Sequence, residues 1–520
     1  MKDVKNVKTD FQRAFRKTFL TPFTSFTVVL ALGIGVTLWA QQEPVDSAAI
    51  AKIRDEGLNR SKVNEPFDMF VNTIGPRLTA SPAHKRAAEY ARDTLTKWGI
   101  SNAHLEPWEF GRGWELEKLT IEMVEPRYMP LTGYAEAWTP STPGELLLPA
   151  VSTAGKTPEQ IASMPIKGAA VLTSGVISAF IDKDREQPEL VAGARIGAPA
   201  APPSRGATPG GAAAAGRGAN AATGGGRGAA PAAPSPTASA AVLIKPSRGM
   251  QGTVFVQAGR VTPEATQPAI VLAAEHYNIV ARLIERGVPV KLRVNVKVKF
   301  YETDKNSYNV IAEIPGTDPV LKNEVVILGA HLDSWHTATG ATDNADGVAG
   351  AMEAFRIIKA SGLQPKRTLR LAIWSGEEEG LYGSKHYADD HYAGPSHAAD
   401  RDKVAAYFNI DPGTGPIYGW YCEDNPAAKA IFDAWLAPFK DLGARQNILP
   451  GIGSTDHLSF KAVGIPGFNP IQDYTNYDVR LHHTNADTAE YVKEADLKQS
   501  AVVLAAFVYQ AAQRAERIPR

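Results

Sequence analysis

The chain is nearly without cysteine. Cys422 is the only one in 520 residues, so no intrachain disulfide can form. No histidine motif surrounds it, and it reads as a buried hydrophobe rather than a nucleophile. An excess of either charge is also lacking, with 55 basic and 55 acidic residues. No basic excess argues for a nucleic-acid binder, and no acidic excess for a solvating tail. Long apolar runs are few. The one near the N-terminus, "FTVVLALGIGVTLWA" from Phe26 to Ala40, is short for a bilayer span and follows Arg13, Arg16 and Lys17. It has the form of a signal-peptide core with Ala40 at the cleavage edge. Residues 1–40 are therefore expected to be a signal peptide or, if uncleaved, an N-terminal anchor. The folded part is expected to be exported, either secreted or periplasmic. A composition of 44% hydrophobic and 21% charged residues is that of a globular chain, and its length suggests about two or three domains.

What is present divides along the chain. Residues 41–127 open the main domain. Ser81-Pro82 supplies a cap and a first-turn proline for a helix that carries Ala87, Ala88, Ala91, Leu95 and Trp98 at helical spacing and ends at Gly99. "AHLEPWEF" then reads as a strand. Residues 128–292 form a β-rich insert with short strand candidates "GAAVLTSG" and "AVLIKPS". Within it, the stretch from about 197 to 241 is almost wholly Ala, Gly and Pro, with arginines and no acids. Such a stretch cannot bury a core, and the expectation is a disordered surface loop.

Residues 293–520 read as α/β. The strand candidates "NVIAEI", "EVVILGAH", "TLRLAIWS", "VAAYFNID" and "IPGFNPI" alternate with helical stretches such as "DGVAGAMEAFRIIKASG" and "EADLKQSAVVLAAFVYQAAQRAE". The expected fold class is α/β, a mixed, largely parallel sheet flanked by helices. Sites in such sheets form at the carboxyl ends of the strands. His331 and Asp333 follow one strand, Glu377 and Glu378 a second, and Asp411 a third. Asp343 begins a helix, and His483 stands in "LHHTNADT". Carboxylates crowded in this way repel one another unless a cation lies among them. The set His331, Asp343, Glu378, Asp411 and His483 suits two zinc ions, whose charge leaves room for a bridging hydroxide.

The ordered motifs "HLDSW…GATDNADG", "WSGEEEGLYGS", "NIDPGTG" and "HHTNADT" resemble the co-catalytic di-zinc exopeptidases of the aminopeptidase and glutamate-carboxypeptidase type. "GAHLDSW", "PKRTLRLAIWSGEEEG" and "IGPRLTAS…HLEPW" lie closest to the carboxypeptidase Q group of that family. The resemblance implies a zinc exopeptidase fold with an inserted protease-associated-like domain. It implies two zinc ions per chain, with Asp343 bridging them. His331 and the other three ligands complete the set, Asp333 orients the metal-bound imidazole, and Glu377 serves as general base. It implies hydrolysis of dipeptides or short peptides as a carboxypeptidase or, with the same site, as an aminopeptidase. A one-zinc glutaminyl cyclase-like acyltransferase and a metal-free binding protein are the competing classes, and the complete ligand set argues against both.

Several neighbouring residues are assigned lesser parts. Asp456 and His457 are candidate substrate contacts or helix caps. Asp346 is expected to cap a helix, Asp487 to support the site from behind, and Glu379 to be a solvated helix residue. His336 is expected in a loop near the cleft. His482 is expected to face away if His483 binds metal, and Tyr474 and Tyr477 are candidate oxyanion donors. The expected partner is a peptide or dipeptide and not nucleic acid. A membrane enters only through an uncleaved anchor, and a homodimer is left open.

Overall fold

The structure is a computed structural model that describes residues 43–191, 235–256 and 265–520. The expected leader or anchor, and most of the Ala/Gly/Pro-rich stretch, lie outside the described residues. Residues from Glu43 onward form one unit built on two sheets.

The first sheet has seven strands, in the order Ser101–Glu109, Asn306–Ile314, Thr368–Trp374, Val325–His331, Val404–Asn409, Gly467–Asp473 and Thr414–Tyr421. The four strands from Thr368–Trp374 to Gly467–Asp473 run parallel, and the outer pairings are antiparallel. The parallel strands read as near-continuous apolar runs because both faces are covered. Val326, Leu328 and Ala330 enter one core, shared with the helices Asp346–Ala360 and Glu494–Gln513. Ile327 points the other way, into a core with Trp374, Tyr387, Tyr407 and Phe460. This two-residue alternation is the pleat of a strand buried on both sides. The α/β reading holds, with helices on both faces. The helix Pro82–Lys97 begins as expected, its Ser81 side chain accepting from the His84 amide.

The second sheet has eight strands, in the order Met129–Pro130, Gly113–Glu125, Lys291–Tyr301, Leu146–Ser152, Ala170–Leu172, Val242–Pro246, Ala269–Leu272 and Gly133–Ala135. It takes in Gly113–Glu125 and Lys291–Tyr301, which flank residues 128–292 on either side. Its core is separate, built on Met123, Leu172, Val242, Ile270, Tyr277, Leu292 and neighbours. An aromatic cluster of Trp108, Phe110, Trp114, Trp138 and Trp335 joins residues of both sheets. His336 adds a polar link, its Nε2 lying 2.8 Å from the Ala135 carbonyl.

Candidate metal centre

Three parallel strands deliver their ends to one place. Val325–His331 ends on His331 itself. Thr368–Trp374 is followed by Ser375, Gly376 and the glutamates. Val404–Asn409 is followed by Ile410 and Asp411. The turn to the glutamates needs Gly376, whose φ is +73° and where an added Cβ would stand 2.9 Å from the Trp108 ring. Asp343 comes from the irregular turn Ala341–Ala345 before the helix Asp346–Ala360. His483 follows the turn Tyr477–Leu481, with a φ of +61°.

The side chains converge. The two oxygens of Asp343 face different histidines, Oδ1 lying 3.2 Å from His331 Nε2 and Oδ2 3.3 Å from His483 Nε2. Asp411 Oδ1 lies 3.7 Å from His331 Nε2, and Glu378 Oε2 lies 2.7 Å from His483 Nε2. Two groups result, His331–Asp343–Asp411 and Asp343–Glu378–His483, which share one carboxylate. Glu378 Oε1 is buried without a partner, and His331 Nε2, Asp343 Oδ2 and Glu378 Oε2 meet only other members of the same cluster. Buried polar atoms are normally satisfied, and orphaned lone pairs that converge are the arrangement a cation completes. Nitrogen and carboxylate donors in this ratio fit zinc.

The electrostatics agree. Burial, then Asp343, pushes the Glu378 carboxyl up to about 7. Burial and then Asp343 do the same to Asp487, also to about 7. Burial also opposes the charged form of His483, but Glu378 and Asp343 outweigh it and raise the imidazole to about 10. At His331 burial is likewise outweighed, by Glu377, Asp343 and Asp411, and the pKa stands well above its ordinary value. Burial lifts Glu377 well above the carboxylate range; His331 opposes this, while Asp411, Asp456 and Glu378 add to it.

The supporting residues differ in part from expectation. Asp333 does not hold the imidazole with its carboxylate, which lies 3.8 Å from His331 Nδ1. That nitrogen meets the Asp333 backbone carbonyl at 3.1 Å. The carboxylate instead accepts the amides of Glu377 at 3.3 Å and Glu378 at 3.1 Å, fixing the glutamate turn beside the histidine. His482 does not turn away. Its ring stacks on Tyr477 and its Nε2 stands 3.9 Å from Asp343. Glu379 is buried rather than solvated. Asp346 is the first residue of its helix and accepts from the Gly347 amide at 2.7 Å.

Asp487 takes the amide and hydroxyl of Thr342 and the amide of Asp343, so it sets the turn that carries the shared carboxylate. Asp456 is buried with both oxygens unpartnered, and burial pushes it up to about 7 against the opposing pull of His331. His457 faces elsewhere, its Nε2 lying 3.2 Å from Glu423 and 3.1 Å from the Ile452 carbonyl. Tyr474 spends its hydroxyl on Tyr421 at 3.0 Å, whereas the buried Tyr477 hydroxyl has no partner. Sequence reasoning did not single out Trp335 and Thr337. They line a small cavity with Asp343, Glu378, His483 and Thr484, and the indole N–H and the hydroxyl are both unpartnered.

Residues 309–508 match peptidase family M28. The bovine carboxypeptidase Q is 28% identical over 464 residues, covering 89% of this chain and 88% of that one. Among solved structures, a peptidase M28 precursor from Shewanella amazonensis superposes with a TM-score of 0.66 at 22% identity, covering 91% of this chain and 98% of the other. A zinc aminopeptidase from Bacillus subtilis superposes with a TM-score of 0.55 at 17% identity, covering 87% and 94%. At such identities the two structures establish the fold.

Proposed function

We propose, from the match of residues 309–508 to peptidase family M28 and the likeness to carboxypeptidase Q, that this chain is an exported exopeptidase carrying two zinc ions, which cleaves dipeptides or short peptides in the manner of carboxypeptidase Q. The observation that carries this reading is Asp343, whose two oxygens serve two separate histidine-carboxylate groups. His331 and Asp411 would hold one ion and Glu378 and His483 the other, with Asp343 between them. Bound zinc would supply Lewis acidity and a water acidified to react near neutral pH.

The chain's own groups do the rest. Glu377 is the half-buried member of the cluster, with a carboxylate oxygen within 4.8 Å of ligand atoms of His331 and Asp411. Burial raises its proton affinity, so it accepts the proton of the attacking water and returns it to the leaving amine. The Tyr477 hydroxyl, buried and unpartnered, donates to the oxygen on which charge develops. The second sheet is read as a protease-associated-like insert that closes over the substrate.

An aminopeptidase with the same centre is the second reading. Asp456 favours it, being a buried, unpartnered acid that suits a free amine. Zinc analysis of the purified chain, together with a panel of dipeptides bearing free or blocked ends, tests the proposal. About two zinc ions per chain and cleavage of the panel are expected. One zinc with cyclisation of amino-terminal glutamine would replace the peptidase by an acyltransferase, and no zinc would leave a binding protein.

A further inference from the structure

The segment Ile181–Leu190 of the insert lies along the chain that carries the end of the active centre. Asp184 accepts the amides of Asn476 at 2.8 Å and Val479 at 3.0 Å. Gln187 donates to the Gln472 carbonyl at 2.6 Å and accepts the Tyr474 amide at 3.1 Å. Between them stands Arg185. Its guanidinium grips Asp478 with two parallel bonds, Nε to Oδ2 at 2.8 Å and Nη2 to Oδ1 at 2.5 Å, and its backbone amide adds a third at 2.8 Å. A bidentate arginine–carboxylate pair is among the most directional contacts a protein makes. The same guanidinium lies over two aromatic rings, 4.8 Å from the Tyr474 centroid and 5.5 Å from that of Tyr477. Tyr477 also stacks on the His482 ring, at 5.1 Å and 23°. Tyr477 thus contacts both a cation from the insert and an imidazole of the centre, and its buried hydroxyl has no partner.

We propose that Arg185 is a positioning residue of the active centre. Anchored on Asp478, it fixes the ring of Tyr477 so that the hydroxyl meets the developing oxyanion, and the insert thereby becomes an integral part of the catalytic machinery. The inference rests on the peptidase reading above. It follows from the contacts, since Asp478 is the residue after Tyr477 and the three Arg185 bonds fix its carboxylate. The guanidinium is also attracted to the negative face of the ring, so the contact is attractive as well as steric.

Kinetics of Arg185→Ala, Tyr477→Phe and the double variant test it, with the fastest-cleaved member of a fixed panel of alanyl dipeptides as substrate. Tyr477→Phe should lower kcat about 100-fold, the usual loss for one oxyanion donor. Arg185→Ala should lower kcat at least about 10-fold, with KM within about 2-fold and zinc content unchanged. The double variant should match Tyr477→Phe alone, because the two residues act as one unit. Asp478→Asn, which keeps the shape of the turn, should reproduce the Arg185→Ala loss. Equal losses from Arg185→Ala in the wild-type and Tyr477→Phe backgrounds would overturn the proposal. So would a loss confined to KM, or one accompanied by loss of zinc in both the Arg185 and Asp478 variants. If the wild type cleaves nothing in the panel, the peptidase reading itself falls, which is a different result from an active wild type with additive variants.

Discussion

At the scale of single residues, the centre separates groups that bind from groups that move protons. Glu377 and Glu378 are neighbours with the same chemistry, yet Glu378 reaches His483 with Oε2 2.7 Å from its Nε2 while Glu377 stays half-buried beside His331 and Asp411. Glu377→Gln keeps size and hydrogen bonding but removes the base. The expected result is a loss of hydrolysis of about 100-fold to 10,000-fold with zinc content unchanged. Near-normal turnover in a progress-curve assay would refute the base assignment, and lost zinc would make Glu377 a ligand. The adjacent histidines divide in the same way. His483 contacts two acids of the cluster, whereas His482 stands farther from Asp343 and stacks on Tyr477. His483→Ala should therefore lower zinc occupancy by about one ion per chain, measured by elemental analysis, and His482→Ala should leave it unchanged. The reverse pattern would exchange their roles.

At the scale of elements, the site depends on strand ends and one turn. Gly376 has a left-handed conformation and abuts Trp108, so Gly376→Ala both strains the backbone and pushes on an indole packed against the catalytic turn. A stability loss of about 1–3 kcal/mol is expected by denaturant titration. Activity should fall further than stability accounts for, because both glutamates move. Unchanged activity in a destabilised protein would show that the turn tolerates displacement. The strand ends were legible in the sequence because "VVILGAH", "LRLAIW" and "VAAYFN" are largely apolar runs, interrupted inside only by Arg370, each followed by acids or ending in histidine. Thr414–Tyr421 was not, because its glycines and proline break the pattern and its partner Gly467–Asp473 supplies the register. Lys291–Tyr301 alternates lysine and arginine with valine and leucine, a half-buried strand whose pleat signal went unread. Glu379 looks like a solvated helix residue, and only the packing around Thr79 and Asp333 buries it. No local pattern joins Arg185 to Asp478, since their pairing spans 293 residues and exists only once the insert has docked.

At the scale of the whole molecule, the buried acids link metal, pH and stability. No described helix is long and apolar enough to cross a membrane. Glu378, Asp456 and Asp487 are held at about 7 in the folded chain, against 4.5 for a free glutamate and 3.8 for a free aspartate, burial being the first cause in each. His483 is held at about 10 against 6.5. In all four the folded state binds its proton more tightly than the unfolded state. Between the unfolded and folded values the folded chain therefore carries more protons, and stability falls as pH rises. For the carboxyls that window runs from about 4 to about 7, and for His483 from about 6.5 to about 10. Chelated protein should accordingly lose several degrees of Tm between about pH 5.5 and about pH 8. Zinc binds the deprotonated ligands, so its stabilisation has the opposite slope, with protons competing for the same atoms at low pH. At a free concentration 100 times its Kd it contributes about 2.7 kcal/mol. The gap between the Tm with zinc and the Tm with chelator should thus widen from acid to neutral pH, as read by scanning calorimetry on the same preparation. A gap that stays constant or narrows with rising pH would mean that these acids and histidines do not hold the metal, and the two-ion centre would have to be abandoned.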